Sequence, residues 1–137
     1  MKLFLAGVSA DTVSKFVFNF TAFTSILFLL VILFFGLYCG YGVLRLRREK
    51  VLFPHRLMYP NYCAVDDCTD PVEYYDFILP RITVLSIVMI LSGLVQFLSY
   101  FIPYLRVLPV SLSVYAVPFV VYLYYSISLR KAAKKFW

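Results

Sequence analysis

Two thiols and an imidazole are the residues in this chain best suited to chemistry. The run Cys63-Ala64-Val65-Asp66-Asp67-Cys68 sets two cysteines around two carboxylates, and His55 precedes them in the same segment. Soft thiolates with an imidazole suit zinc, and a C-x4-C spacing lies at the loose end of zinc-ligand pairs. One pair leaves a tetrahedral site incomplete, so zinc would need His55, a carboxylate or a second chain. In an oxidising compartment the same pair would close a disulfide instead. The expectation is two reduced thiols in a folded loop and no cofactor. Cys39 falls inside an apolar stretch and reads as a small packing residue.

Five of the chain's 7 acidic residues fall within or just after this motif: Asp66, Asp67, Asp70, Glu73 and Asp76. They come after the basic run Arg45-Leu46-Arg47-Arg48-Glu49-Lys50, so an internal electrostatic match, or docking of a basic partner, is expected. Their spacing is not that of a calcium-binding EF-hand loop. Enzymatic chemistry has little support. There is one His, and no nucleophile elbow, glycine-rich phosphate loop or HExxH is present. A Cys63–His55 pair would lack an orienting third group and an oxyanion hole. The chain reads as a non-enzyme.

The elements that must carry these residues are dictated by three uncharged stretches, residues 16–44, 82–102 and 107–129. A helix of about 20 apolar residues crosses the hydrocarbon core. The expected fold is therefore an all-α integral membrane protein with three transmembrane helices in one domain, 1–137. Composition agrees: 63% of residues are hydrophobic and 15% charged, against about 45–50% and about 25% in soluble domains. Tyrosines at 38, 41, 100, 104, 122, 124 and 125 sit where interfacial belts form.

Residues 1–15 read as an interfacial segment. Lys2 and the short apolar run after it resemble a signal peptide, but that run is shorter than the usual stretch of about 7–15 residues. Ser9 or Asp11 can cap the first helix, which meets no proline before Pro54 and should reach Lys50. Residues 45–81 form a basic-then-acidic connection. Within it Pro54, Pro60 and Asn61 argue against regular structure. Yet Phe53, Leu57, Met58, Tyr59 and Tyr62 make it too apolar for a free linker. It should lie at the membrane interface or against a partner. Asp70-Pro71-Val72-Glu73 is a helix start with a capping-box-like pattern, and Pro80 should kink the helix that follows. The last two spans should form a tight helical hairpin, and Pro118 should bend the third. The tail 130–137 should extend that helix along the surface, with Trp137 at headgroup depth.

Of the 13 Lys and Arg residues, all but Lys2, Lys15 and Arg106 lie on the side holding residues 45–81 and the tail. Arg45, Arg47, Arg48, Lys50, Arg130, Lys131, Lys134 and Lys135 are the lipid-facing cations of that side, which should be cytoplasmic or matrix. The N-terminus is then outside and the C-terminus inside. The net charge of +6 is concentrated beside the spans, so nucleic acid is excluded as a partner.

Inside the spans, Gly36 and Gly40 form a GxxxG followed by Gly42, a spacing that lets a second backbone approach. Ser86, Gly93, Gln96 and Tyr100 make a small, polar stripe, and Gln96 needs a partner or a wet cavity. No ionisable group lies centrally in a span, which argues against proton pumps and ion-coupled carriers. The leading expectation is an accessory or assembly subunit of a larger membrane complex. A homo-oligomeric passive pore lined by the polar stripe is the first alternative, and a metal- or redox-sensing loop on a membrane anchor is the second.

Overall fold

A computed structural model describes residues 10–60 and 63–137. Residues 1–9 of the expected interfacial segment, including Ser9, fall outside the described residues, as do Asn61 and Tyr62. Three helices account for most of the chain: α1 (Ala10–Glu49, 40 residues), α2 (Pro71–Ser99, 29 residues) and α3 (Leu108–Phe136, 29 residues). Each is long and apolar enough to cross a membrane.

The ends of the helices follow from local chemistry. Asp11 lies within the first turn of α1 and pairs with Lys15 at 2.9 Å. With no proline to interrupt it, α1 runs to Glu49. It stops where Lys50 takes a left-handed φ of 52° and its N–H bonds Leu46 O at 3.0 Å. Asp70 caps α2 by accepting from the Glu73 N–H at 3.0 Å, and Pro71 fills the first helical position. Glu73 does not complete the reciprocal box; its carboxylate pairs with Lys135 instead. The connection 45–81 is mostly helical at its two ends. What remains between α1 and α2 holds one short 3-10 turn, Val65–Asp67.

α2 is shorter than the expected span to residue 102. Its backbone leaves the helix after Ser99, because Pro103 forces Ile102 to an extended φ of −114° and ψ of 104°. A 3-10 turn, Pro103–Arg106, leads into α3. Pro80 and Pro118 lie inside α2 and α3, and both helices continue through them.

Contacts fix the helix directions. Gly36 faces Met89 and Ile90, Gly40 faces Ser86, and Gly93 faces Leu33, so α1 and α2 are antiparallel. Phe28 packs on Tyr115 at 4.7 Å and Phe35 on Tyr122 at 6.0 Å, so α3 runs alongside α1 in the same sense. The C-terminal ends of α1 and α3 and the N-terminal end of α2 therefore meet at one end of the bundle. The most deeply buried side chains, among them Leu46, Met58, Tyr74, Ile78, Ile82, Leu85 and Phe136, run from this end into the α1–α2 seam.

Candidate functional site

The connecting segment folds back onto its own helices at that end. Phe53, His55, Met58 and Tyr59 are buried. The phenol of Tyr59 donates to Phe53 O at 3.0 Å, and burial pushes its pKa up to about 12, so it stays a donor. Tyr74, completely buried, donates to Met58 O. Tyr125 on α3 donates to Leu57 O at 2.5 Å. Part of the apolar loop is thus covered within the chain.

The C-terminus closes the same end. Trp137 is half-buried against this end. Its ring meets Tyr74 edge-on at 5.0 Å and Tyr59 at 6.2 Å, and its Nε1–H donates to Ala64 O at 2.9 Å. The N–H of Thr69 donates to Phe136 O at 2.9 Å. Edge-to-face packing of this kind adds to the burial of large rings, which holds the tail inward. The signal was present in the sequence as Phe136-Trp137 after a basic turn, but nothing in one segment names the tyrosines it would meet.

His55 is packed against two aromatic rings. Its ring stacks on Tyr38 at 4.3 Å and meets Phe53 edge-on at 5.7 Å. Both ring nitrogens are buried, with no hydrogen-bond partner among the described residues. Burial holds its pKa below the ordinary 6.5. Gly42 is the residue that admits it: a Cβ there would lie 2.9 Å from His55 Nε2 and 2.9 Å from Met58 Cε. Cys63 and Cys68 are free thiols, and burial raises the pKa of Cys68, which disfavours thiolate. Among the described residues no cluster of three or more His, Cys, Asp or Glu side chains could hold a metal. His55 and Cys63 do line one cleft of about 660 Å³ together with Arg56 and Asp66.

Asp66, Asp67, Asp70, Glu73 and Asp76 are all exposed. The one ion pair this cluster makes among the described residues is Glu73 with Lys135 of the tail. The expected match to the basic end of α1 is not formed. Arg45 pairs with Glu49 of its own helix at 2.9 Å and lies 4.4 Å over the Phe53 ring. Arg47, Arg48, Lys50, Arg130, Lys131 and Lys134 are exposed. Arg81 turns back along α2, its guanidinium 3.7 Å over the Phe77 ring.

In the apolar part of the bundle the glycine motif and the polar stripe serve one another. A Cβ on Gly36 would lie 3.0 to 3.1 Å from Ile90 Cγ1, Ile90 N and Met89 Cβ, and one on Gly93 would lie 2.5 Å from Leu33 Cδ2. Ser86 Oγ donates to Gly36 O at 3.2 Å. Gln96 Nε2 donates to Ser25 O at 3.1 Å and to Tyr115 OH at 3.2 Å, joining all three helices. Tyr100 does not share this environment; it lies beyond the end of α2 and is exposed.

The first half of α1 is different in kind. Val13, Phe16, Val17, Phe18, Phe20 and Phe23 are all 49% exposed or more. The register that pairs Ser25 with Gln96 near the end of α2 leaves these residues beyond it. Comparison of the chain with protein-family models, with curated proteins and with solved structures found no match, so the geometry alone carries the functional argument.

Proposed function

We propose that the chain is a non-enzymatic, three-span accessory or assembly subunit of a larger membrane complex. Its basic end is cytoplasmic or on the matrix side, its N-terminus is on the opposite side, and its last two helices are a hairpin. The observation that carries this reading is the exposed N-terminal part of α1, residues 11–24. At about 1.5 Å per residue, the apolar stretch 16–44 is about 43 Å long, while the hydrocarbon core is about 30 Å thick. Hiding the whole stretch in lipid would need a tilt above the observed range of about 0–40°. Packing against α2 and α3 also restricts any tilt. Another membrane-embedded chain laid along Phe16, Phe20 and Phe23 would cover the excess.

The polar stripe supports the same choice. Ser86, Gly93 and Gln96 make contacts inside the chain, which favours a packing role over a pore lining. The free thiols, without a third ligand, give little support to a metal-sensing loop.

The test is the native mass of the chain in a mild detergent, with co-purifying chains identified. A mass dominated by other subunits is expected, and it should fall toward 15.9 kDa when Phe16, Phe20 and Phe23 are all changed to Ala. A clean multiple of the monomer mass, unaffected by those changes, would sink the proposal.

A further inference from the structure

A second feature of the sealed end faces outward. Arg56 of the connecting segment and Arg130 and Lys134 of α3 converge on one crevice of about 480 Å³. Arg130 and Lys134 are one helical turn apart, so they share a face. No carboxylate lines the crevice. Among the described residues none of the three cations is in an ion pair, whereas Lys135, next in sequence, is taken by Glu73. Three like charges around one hollow repel one another, and an anion seated between them would relieve that repulsion.

The crevice also has a fixed back wall and an apolar flank. Tyr125 OH holds Leu57 O at 2.5 Å, which pins the loop to α3. Below the cations the lining continues along α3 through Leu129 to Tyr122. Tyr122 and Lys134 are separated by about 18 Å along the helix, at about 1.5 Å per residue. A small soluble anion would use only the charged mouth. A phospholipid has a phosphate for the mouth and an acyl chain for the flank, and the crevice lies where the apolar span gives way to the basic tail.

We propose that this crevice is a specific site for an anionic phospholipid. Its phosphate is held by Arg56, Arg130 and Lys134, and the upper part of an acyl chain lies along Leu129 and Tyr122. Arginine suits the role, since its planar fork can donate two hydrogen bonds to one phosphate. The proposal rests on the spanning reading but not on the accessory-subunit reading.

The test is native mass spectrometry of the full chain released from nanodiscs of phosphatidylcholine with either phosphatidylglycerol or cardiolipin. Retention of the anionic lipid should exceed that of phosphatidylcholine by about tenfold. The variant R56Q/R130Q/K134Q should lose that preference. The control R47Q/R48Q/K131Q, which removes the same charge outside the crevice, should keep it. Ala133→Trp fills the crevice with every cation in place and should also lose it. That second variant covers the case in which the triple change unfolds the loop. Millimolar inorganic phosphate should not displace the lipid. Equal retention of phosphatidylcholine, equal loss in the control, or displacement by phosphate would each overturn the proposal. The first two point to diffuse attraction and the third to a soluble-anion site. A chain that enters nanodiscs without any lipid preference fails this proposal and leaves the spanning reading standing.

Discussion

The two ends of α1 treat their aromatic residues in opposite ways. At the C-terminal end the loop and tail bring Phe53, Tyr59, Tyr74, Phe136 and Trp137 together, and the first four are buried. At the N-terminal end Phe16, Phe18, Phe20 and Phe23 stand exposed around a single helix. The difference is one of available neighbours. At the sealed end, the Phe53, Leu57, Met58 and Ala64 carbonyls each meet a phenol or the indole. Residues 11–24 of α1 are all exposed, N-terminal to the bond between Ser25 and Gln96. One end packs loop, tail and helices together, and the other leaves its aromatic side chains exposed among the described residues.

The contrast is broken most directly at Tyr74. Its ring contacts Tyr59, Phe77, Phe136 and Trp137, and its hydroxyl holds the loop at Met58. Tyr74→Ala should cost about 3–5 kcal/mol, the range for removing a buried large aromatic. Thermal unfolding in detergent should fall, and proteases should cut the loop faster. Phe18→Ala, at the bare end, should change the unfolding of the isolated chain by no more than about 0.5 kcal/mol. Equal losses at both positions would mean that the two ends do not differ as described.

A second, smaller effect is expected in the seam between them. Gly36→Ala places a methyl against Ile90 N and Met89 Cβ, which cannot swing aside. Overpacking of this kind costs about 1–3 kcal/mol. Gly93→Ala meets the far end of a flexible leucine, Leu33. It should therefore be the milder of the two, although the added methyl starts closer to its neighbour. Melting temperatures of both variants decide this, and a larger drop for Gly93→Ala would show that Leu33 is not free to move.

How far the sequence carries depends on how local the cause is. The three helices are legible because length and apolar composition are properties of each segment alone. Asp70 and Pro71 are legible as a helix start for the same reason. The glycines and Gln96 announced that something must approach them, but not that the partners were Ile90, Leu33, Ser25 and Tyr115 of the same chain. The loop announced an apolar surface needing cover, and its cover proved to be α1, α2 and α3 rather than only lipid or a partner. His55 packs against residues that its own segment does not name. Its fate was decided by Tyr38 and Gly42 on another element, and no spacing near Cys63 encodes them. Trp137 packs on rings over sixty residues away, which no local pattern names.

His55 supplies a pH-dependent way to sharpen the comparison. Its folded pKa lies below 6.5 because burial penalises the imidazolium. The unfolded chain therefore binds a proton that the folded chain refuses, and stability rises with pH across that window. The contribution is fully present above 6.5 and is lost as pH falls from there toward the folded pKa. Arg45, over the Phe53 ring, and Arg56, in the adjoining cleft, disfavour a further positive charge, while Asp66 in that cleft opposes them in part. Tyr38 stacks on the ring, and Cys63 lines the same cleft. Acidification from pH 7 to pH 5 should loosen the loop end, read as faster amide exchange at residues 53–59, with little change in residues 13–23. His55→Phe keeps the stack on Tyr38 and should flatten the dependence. An unchanged pH profile in that variant would assign the effect to another group.

The smallest effect is expected at the ion pair that joins tail to helix. Glu73 and Lys135 are both more than half exposed, at 52% and 61%. Water and salt screen such a pair, and two long side chains lose freedom in forming it. Glu73→Gln keeps the size of the side chain and removes its charge, so the melting temperature should move within measurement scatter. The tail should stay docked, because Trp137 Nε1–H, the Phe136 carbonyl and the packed rings do not depend on that charge. Indole fluorescence separates the two contributions. Trp137 emission should remain that of a packed ring in Glu73→Gln and shift to longer wavelength in Tyr74→Ala. A red shift in the charge variant would mean that the ion pair, and not the aromatic cluster, closes this end of the molecule.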